Sequence, residues 1–229
     1  MEGDVDVAAV AQLIANPARA AMLDALFDGG EQPSGALAAA AGVAPSTASE
    51  HLARLARAGL VAVETRGRER RVRLAGPEVS DALEALSAIA PQRPARTLRG
   101  SDRIRALRAA RTCYDHLAGA LGVAVTDALC GRRLLHRDDL SLTARGNREL
   151  REFGLDAENL RRGSRPLTRA CLDWSERRHH LAGALGAALC DEILRRGWVE
   201  RLPERRALRL TPAGASGLAD AFGVVLSGS

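Results

Sequence analysis

The sequence predicts a mainly α-helical protein with small β wings, arranged in two domains. Ala, Leu and Val dominate, and aromatics make up only 3% of the 229 residues, which favours helices over sheets. From Val5 onward, apolar residues recur at helical spacing between Pro and Gly punctuation. In the second half, the heptapeptide HLAGALG at residues 116–122 returns letter for letter at residues 180–186, an offset of 64 that points to a repeat.

The front of the chain reads helix, helix, helix, turn, helix. The stretch VDVAAVAQLIA is an amphipathic helix ended by Asn16-Pro17, and PARAAMLDALFDGG is a second helix that starts at Pro17 and stops at Gly29-Gly30. A short helix follows in PSGALAAAAGV, beginning after Ser34 and closed by Gly42. In APSTASEHLARLARAGLV a fourth helix starts at Pro45 or Ser46. It buries Leu52 and Leu55, with Leu60 beyond them, and leaves through a left-handed Gly59. Two helices joined by a tight Gly turn, the second rich in Ser and Thr, form a helix-turn-helix. The second helix offers Ser46, Thr47, Ser49, Glu50, His51 and Arg54 to a DNA major groove. Next, LVAVETRGRERRVRL alternates as a hairpin, with Val61 and Val63 in one strand and Val72 and Leu74 in the other. Its tip carries Arg66, Arg68, Arg70 and Arg71, as a wing reaching a minor groove or phosphates requires. Residues 1–90 are therefore read as an N-terminal winged helix-turn-helix for DNA binding and dimerisation.

Charge supports a polyanion partner. All 33 basic residues are arginine. Residues 1–90 carry 8 Arg against 12 acids, a net of −4, yet seven of the eight lie between Arg54 and Arg73. Residues 91–229 carry 25 against 16, a net of +9, which completes the overall +5. No apolar run approaches the roughly 20 residues that span a bilayer, and the start MEGDVDV is acidic, so a cytoplasmic protein without membrane partners is expected. Four cysteines in a chain of this size do not suggest a disulfide framework.

The motifs NPARAAMLDALFDG, LAAAAGVAPSTASEHLARLARAGLV and RGRERRVRL resemble the winged helix of the ArsR-type (arsenic-repressor-like) transcription regulators over about residues 5–90. The resemblance implies a homodimer that reads half-sites of a double-stranded DNA operator one turn apart. It also implies dimerisation through the first helix and the helix after the wing, here GPEVSDALEALSAIA. One departure stands out. Metal-sensing relatives carry cysteines on the helix before the recognition helix, where this chain has SGALAAAAG, and no cysteine precedes Cys113. Any sensing has to be placed elsewhere.

Residues 91–100, PQRPARTLRG, read as a linker. Beyond it, residues 101–229 are expected to form an α-rich effector domain of two degenerate winged-helix-like repeats, at about residues 101–154 and 171–223. Leu142-Thr143 returns as Leu210-Thr211, and Phe153-Gly154 as Phe222-Gly223. Each copy is expected to hold a helix containing HLAGALG, a short two-stranded element ending in LT, and a helix opening at Thr143 or Thr211. The arrangement resembles an extended ArsR-type subgroup whose C-terminal part carries CYDH…LAG and CLDW…HLAG. On a helix, Ala118 and Gly122, and likewise Ala182 and Gly186, would share one small face. With Gly119 and Gly183, that face suits either the crossing of the two copies or a ligand pocket.

Cys113 and His116, at i and i+3 of that helix, can share a metal, and Cys171 with His179 or His180 completes a Cys2His2 set. Thiolate and imidazole suit Zn(II) and other thiophilic ions. Against this, Cys-x7-His is no familiar ligand step, Asp115 and Asp173 can bond within their own turns, and free cysteine often packs as a small hydrophobe. Structural, metal, redox and organic-ligand roles stay open, and no cofactor is required. Cys130 and Cys190 are expected in the core, while Trp174 and Tyr114 are candidates for an effector pocket. No oxyanion hole, phosphate-cradling glycine loop or pair of catalytic acids accompanies the thiols, so an enzyme is not expected. The sequence reading is a DNA-binding regulator, expected to act as a repressor, with a C-terminal module expected to sense a small molecule or metal. The alternatives are an architectural DNA binder without effector and a metal- or redox-sensing repressor.

Overall fold

Side-chain caps and proline set the helix starts of the first unit. The computed structural model describes residues 4–27, 30–67, 69–91, 97–202 and 206–224. The chain divides into two compact units, Met1–Ser80 and Asp81–Ser229. Helix α1 (Val7–Ile14) opens at Asp6, whose carboxylate accepts from the Ala9 amide at 3.0 Å. In α2 (Pro17–Ala25), Pro17 occupies the first turn and Asn16 accepts from the Ala18 and Arg19 amides. Arg19, only 8% exposed, donates to the Gln12 and Leu13 carbonyls at 2.9 and 2.6 Å and so satisfies the open end of α1.

Strand β1 (Gln32–Pro33) leads into α3 (Ser34–Ala41), then α4 (Pro45–Arg57), β2 (Val61–Arg66) and β3 (Glu69–Leu74). Gly42 and Gly59 take φ of 66° and 69° at the exits of α3 and α4, the left-handed turns expected there. The hairpin pairs Val61 with Leu74 and Val63 with Val72. Strand β1 was not legible in sequence. It adds to β3 to give the order β1-β3-β2. Met22, Leu23, Leu37, Leu52, Leu55, Val72 and Leu74 are buried together as the core of this winged helix-turn-helix.

Helix α5 (Pro77–Ile89) crosses the division between the units. Within the segment read as a linker, the chain is already helical from Leu98. Thr97 starts α6 (Leu98–Ala109) because its hydroxyl accepts from the Gly100 amide at 3.0 Å. Residues 92–96 lie outside the described residues.

The rest of the second unit runs β4 (Arg111–Cys113), β5 (His116–Ala118), α7 (Gly119–Gly131), α8 (Ala144–Glu152), α9 (Ala157–Leu160), β6 (Arg169–Leu172), β7 (His179–Ala182), α10 (Gly183–Arg195), β8 (Val199–Arg201), β9 (Leu208–Leu210) and α11 (Pro212–Phe222). One order therefore occurs twice: a hairpin, a helix, a small antiparallel pairing and a second helix. The small pairing is the single bridge Leu135–Leu142 in the first case and β8–β9 in the second. Thr143 and Thr211 then play identical parts. Each hydroxyl donates to a carbonyl of the preceding turn at 2.8 Å and accepts from the amide three residues on, Gly146 at 2.8 Å and Gly214 at 2.9 Å.

The heptapeptide corrects the sequence expectation. HLAGALG does not lie within one helix: its HLA is the strand β5 or β7, and the helix begins at the first glycine. Gly119 and Gly183 make that corner with φ of 74° and 83°, where a side chain would be strained. Gly122 and Gly186 face the carbonyls of Leu117 and Leu181, 2.5 and 2.6 Å from where a Cβ would stand. The small residues serve a strand folded back on its own helix, and Ala118 and Gly122 share no helical face. The core of this unit is formed by Leu121, Val125 and Leu129 of α7, Leu185, Leu189 and Ile193 of α10, and Leu150, Leu218 and Phe222. No helix among the described residues is long and apolar enough to cross a membrane.

Candidate functional site

In the first unit, α4 presents a polar outer face. Ala48, Leu52 and Leu55 are buried, so Ser46, Thr47, Glu50 and Arg54 are exposed on the other side, with Ser49 half-buried. Arg57, which sequence reasoning passed over, belongs with them, since Glu50, Ala53, Arg54 and Arg57 line one depression of about 380 Å³. Its signal was the spacing of three from Arg54. His51 is half-buried, its Nδ1 3.5 Å from the Arg19 guanidinium, and so it is partly engaged with α2.

The wing holds Arg66 and Arg71 in ion pairs. Arg66 bonds Glu64 at 2.9 Å and Glu31 at 3.1 Å, contacts that raise its pKa further. Arg71 bonds Glu69 at 2.9 Å, and Arg70 is exposed opposite Thr65. Arg68 lies outside the described residues. Exposed pairs of this kind are weak, so a phosphate can exchange for the carboxylate at little cost.

In the second unit, four side chains separated widely in sequence converge. The β4–β5 hairpin pairs Cys113 with His116 across its strands, and the β6–β7 hairpin pairs Cys171 with His180. Strands β5 and β7 pack against one another, with α7 on β7 and α10 on β5. The two cross-strand pairs thereby close on each other. Cys113 Sγ lies 3.9 Å from Cys171 Sγ, His116 Nε2 lies 3.1 Å from His180 Nε2, and all four ligand atoms lie within 4.8 Å of one another. Their exposures are 0, 1, 4 and 0% for Cys113, His116, Cys171 and His180. The sequence expectation of a helical i, i+3 pair is corrected, because both Cys–His pairs are register partners on hairpins. That is why Cys-x2-His and Cys-x8-His, unlike as spacings, are equivalent in space. His179, the other candidate, is exposed.

Each imidazole has a carboxylate behind it. His116 Nδ1 is 3.3 Å from Asp115 Oδ1, and His180 Nδ1 is 3.2 Å from Asp173 Oδ2. Burial works to lower both imidazole pKa values, yet these carboxylates and Cys113 raise them, His180 to about 9. The hydrogen bond with Cys171, and then burial, push the Cys113 thiol up to about 12, against the two imidazoles. Asp173 is held well below the usual carboxylate range. Burial opposes this, but His180, Arg111, Ser175 and the Gly119 amide prevail.

Asp173 is the hub of a second layer. Its Oδ2 accepts from Gly119 N at 2.7 Å and from Arg111 at 3.0 Å, and its Oδ1 accepts from Ser175 and Glu176 within its own turn. Arg111, fully buried, reaches on to Glu84 of α5 at 2.6 Å. Arg165 pairs with Asp115, and Arg169 donates to Asp81 of α5 at 2.8 Å. These residues were missed in sequence, although Arg-x-Cys-x-Asp stands in both copies, at residues 111–115 and 169–173.

Trp174 lies beneath the guanidinium of Arg111, 4.9 Å from its ring centre, and Tyr114 sits in the β4–β5 turn with φ of 59°. Neither lines the apolar cavity of about 360 Å³ between α6, Leu121, Leu202 and β9. Cys130 and Cys190 are buried in α7 and α10.

Residues 14–64 match the family described as a helix-turn-helix domain. The domain of a possible ArsR-family transcriptional regulator from Mycobacterium bovis, solved as a homodimeric winged helix-turn-helix DNA-binding domain, is 32% identical. That match covers 39% of this chain and 89% of that one, with a TM-score of 0.34. Reduced HlyU from Vibrio cholerae is 29% identical over 37% of this chain and 88% of that one, with a TM-score of 0.34. The protein YdfF of Bacillus subtilis (strain 168), described as an uncharacterized HTH-type transcriptional regulator, is 41% identical over 211 residues, 91% of this chain and 93% of that one. With that relation running through both units, the chain belongs to the helix-turn-helix transcriptional regulators.

Proposed function

We propose that the protein is an ArsR-type repressor that binds a double-stranded operator as a homodimer and answers to an effector held by its second unit. The observation that carries this is the exposed row Ser46, Thr47, Glu50, Arg54 and Arg57 on α4, in the same unit as an arginine-bearing wing. A recognition helix reads base edges with such polar side chains, while wing arginines meet phosphates or the minor groove.

Dimerisation is supported by faces that one chain leaves uncovered. Helix α1 buries none of its residues and exposes Val7 at 71%, and α5 exposes Leu86 and Ile89. The Mycobacterium bovis domain, homodimeric by its description, is consistent with that reading. For the second unit, the twofold occurrence of one element order, with Thr143 and Thr211 in the same capping role, supports an internal duplication.

The test is a gel-shift titration against the protein's own upstream DNA with Arg54→Ala and Arg57→Ala. Each is expected to weaken binding about 5–150-fold, the equivalent of roughly 1–3 kcal/mol per lost contact, with an unchanged unfolding midpoint. Undiminished affinity in both variants rules out α4 as the reading helix.

A further inference from the structure

We propose that Cys113, His116, Cys171 and His180 form a tetrahedral Zn(II) site that joins the two hairpins, and that this ion is the effector.

The sulfur–sulfur and nitrogen–nitrogen separations are close to those a tetrahedral ion requires. With Zn–S near 2.3 Å and Zn–N near 2.05 Å, tetrahedral angles place two sulfurs about 3.8 Å apart and two nitrogens about 3.3 Å apart. The observed separations are 3.9 Å between the thiols and 3.1 Å between the Nε2 atoms. An S2N2 donor set in this geometry selects Zn(II) among the common divalent ions.

The imidazoles are also oriented for the task. Both turn Nε2 inward with a carboxylate behind Nδ1: Asp115 hydrogen-bonds His116, and Asp173 lies 3.2 Å from His180 Nδ1 without hydrogen-bond alignment, an arrangement close to the one that fixes a ligating histidine's tautomer and ring. Two thiols destined only for a disulfide need no inward imidazoles, and cysteines that merely fill a core have none. Cys130 and Cys190 are the internal comparison, being buried outside any cluster of three or more candidate ligands among the described residues. Charge closes as well. Binding breaks two S–H bonds, forms two Zn–S and two Zn–N bonds, and releases to solvent the two thiol protons together with any proton carried on an imidazole Nε2, so two thiolates cancel the ion's two charges in a buried place.

The ion has a route out of the site. Asp173 touches His180 and also Arg111, and Arg111 holds Glu84 on α5, the helix that follows the wing in the chain. Drawing His180 onto the ion repositions Asp173 and with it this chain of buried charges. The effector role, unlike the site, rests on the regulator reading above.

Metal content and DNA affinity are therefore measured separately on the full-length, reduced protein. Zn(II) titration in competition with a chromophoric chelator should give one ion per chain. Co(II) in its place should show tetrahedral ligand-field bands and a thiolate charge-transfer band. Cys171→Ser and His180→Gln should each lower Zn(II) affinity at least 100-fold, Asp115→Asn about 10–100-fold, and Cys130→Ser not at all. No Zn(II) bound by the reduced protein, or an octahedral Co(II) spectrum, overturns the site. The wild-type cobalt spectrum decides even where a variant fails to fold. In gel shifts, Zn(II) is expected to change operator affinity about 5–150-fold. Equal affinity with and without the ion overturns its effector role. DNA binding absent in both states overturns the regulator reading and leaves the site standing.

Discussion

Replacing Arg111 with methionine removes the cation shared by two buried carboxylates and leaves Glu84 with the more distant Arg206, at 3.8 Å, and Asp173 with His180. The guanidinium is fully buried, and it is shared by Glu84 at 2.6 Å and Asp173 at 3.0 Å, carboxylates whose side chains are 1 and 0% exposed. It also donates to the Leu107 carbonyl and the Ser175 hydroxyl and lies over Trp174. Methionine keeps most of the stem, so packing loss is small and the charge is the perturbation. Breaking a buried pair from one side costs about 3–5 kcal/mol where the remaining charge has no other partner, and Arg206 and His180 hold the loss here toward the lower figure. At about 2–4 °C per kcal/mol for a chain of this size, the melting midpoint should fall by roughly 6–20 °C. The assay is intrinsic fluorescence during denaturation. Both tryptophans, Trp174 and Trp198, lie in the second unit, so the signal reports that unit alone. Adding Glu84→Gln should return about 1–3 kcal/mol of the loss, since it removes one of the two acids that lose Arg111. A loss below about 1 kcal/mol for Arg111→Met, or strict additivity in the double variant, would refute the idea that this triad is one electrostatic unit.

Three further expectations follow from the same geometry. Gly122→Ala sets a Cβ 2.5 Å from the Leu117 carbonyl and should cost about 1–3 kcal/mol, whereas Gly131→Ala, with nothing within 4 Å, should be neutral or stabilise by up to about 1 kcal/mol. Both are read from urea midpoints. Thr211→Val should destabilise the second unit by about 1 kcal/mol through loss of the α11 cap to Gly214, and Thr211→Ser should restore most of it. Glu192, bonded by Arg195 and Arg196, has its pKa lowered from 4.5 to about 2. A depressed carboxylate stabilises the fold above its unfolded value and loses that contribution as pH falls through the folded one. Wild type should therefore exceed Glu192→Gln by up to about 1 kcal/mol at neutral pH, with the gap closing below about pH 4, and a gap that widens in acid would contradict this.

The first unit was legible because its signals are local. Asn16-Pro17, Gly42, Pro45 and Gly59 mark where helices begin and end, and the alternation of Val61, Val63, Val72 and Leu74 gave the hairpin its register. Strand β1 was not, since two residues around Pro33 carry no periodicity and pair only because β3 presents an edge. In the second unit, HLAGALG read as helix because Ala and Leu favour one, but backbone crowding decided the matter. Gly119 lies against the Arg108 carbonyl, and only a positive φ turns strand into helix there. The four Cys and His candidates were found by residue type. Their meeting was not legible, because register between strands 58 and 64 residues apart is a tertiary property. Arg111 and Glu84 stayed hidden for a simpler reason: in a chain with 33 arginines, one buried guanidinium looks like any surface one.

Because strand register, and not loop length, brings Cys171 and His180 face to face, the two hairpins tolerate different kinds of change. Residues added among 174–177, beyond the Asp173–Arg178 backbone bond, lengthen a turn and leave the cross-strand pair where it is. A slip of one residue between β6 and β7 keeps every side chain in the sequence but sends either Cys171 or His180 to the opposite face of the ribbon. The constraint on this stretch is one of parity. Relatives that share the centre should vary in the distance between Cys and His while preserving which strand positions the two residues occupy.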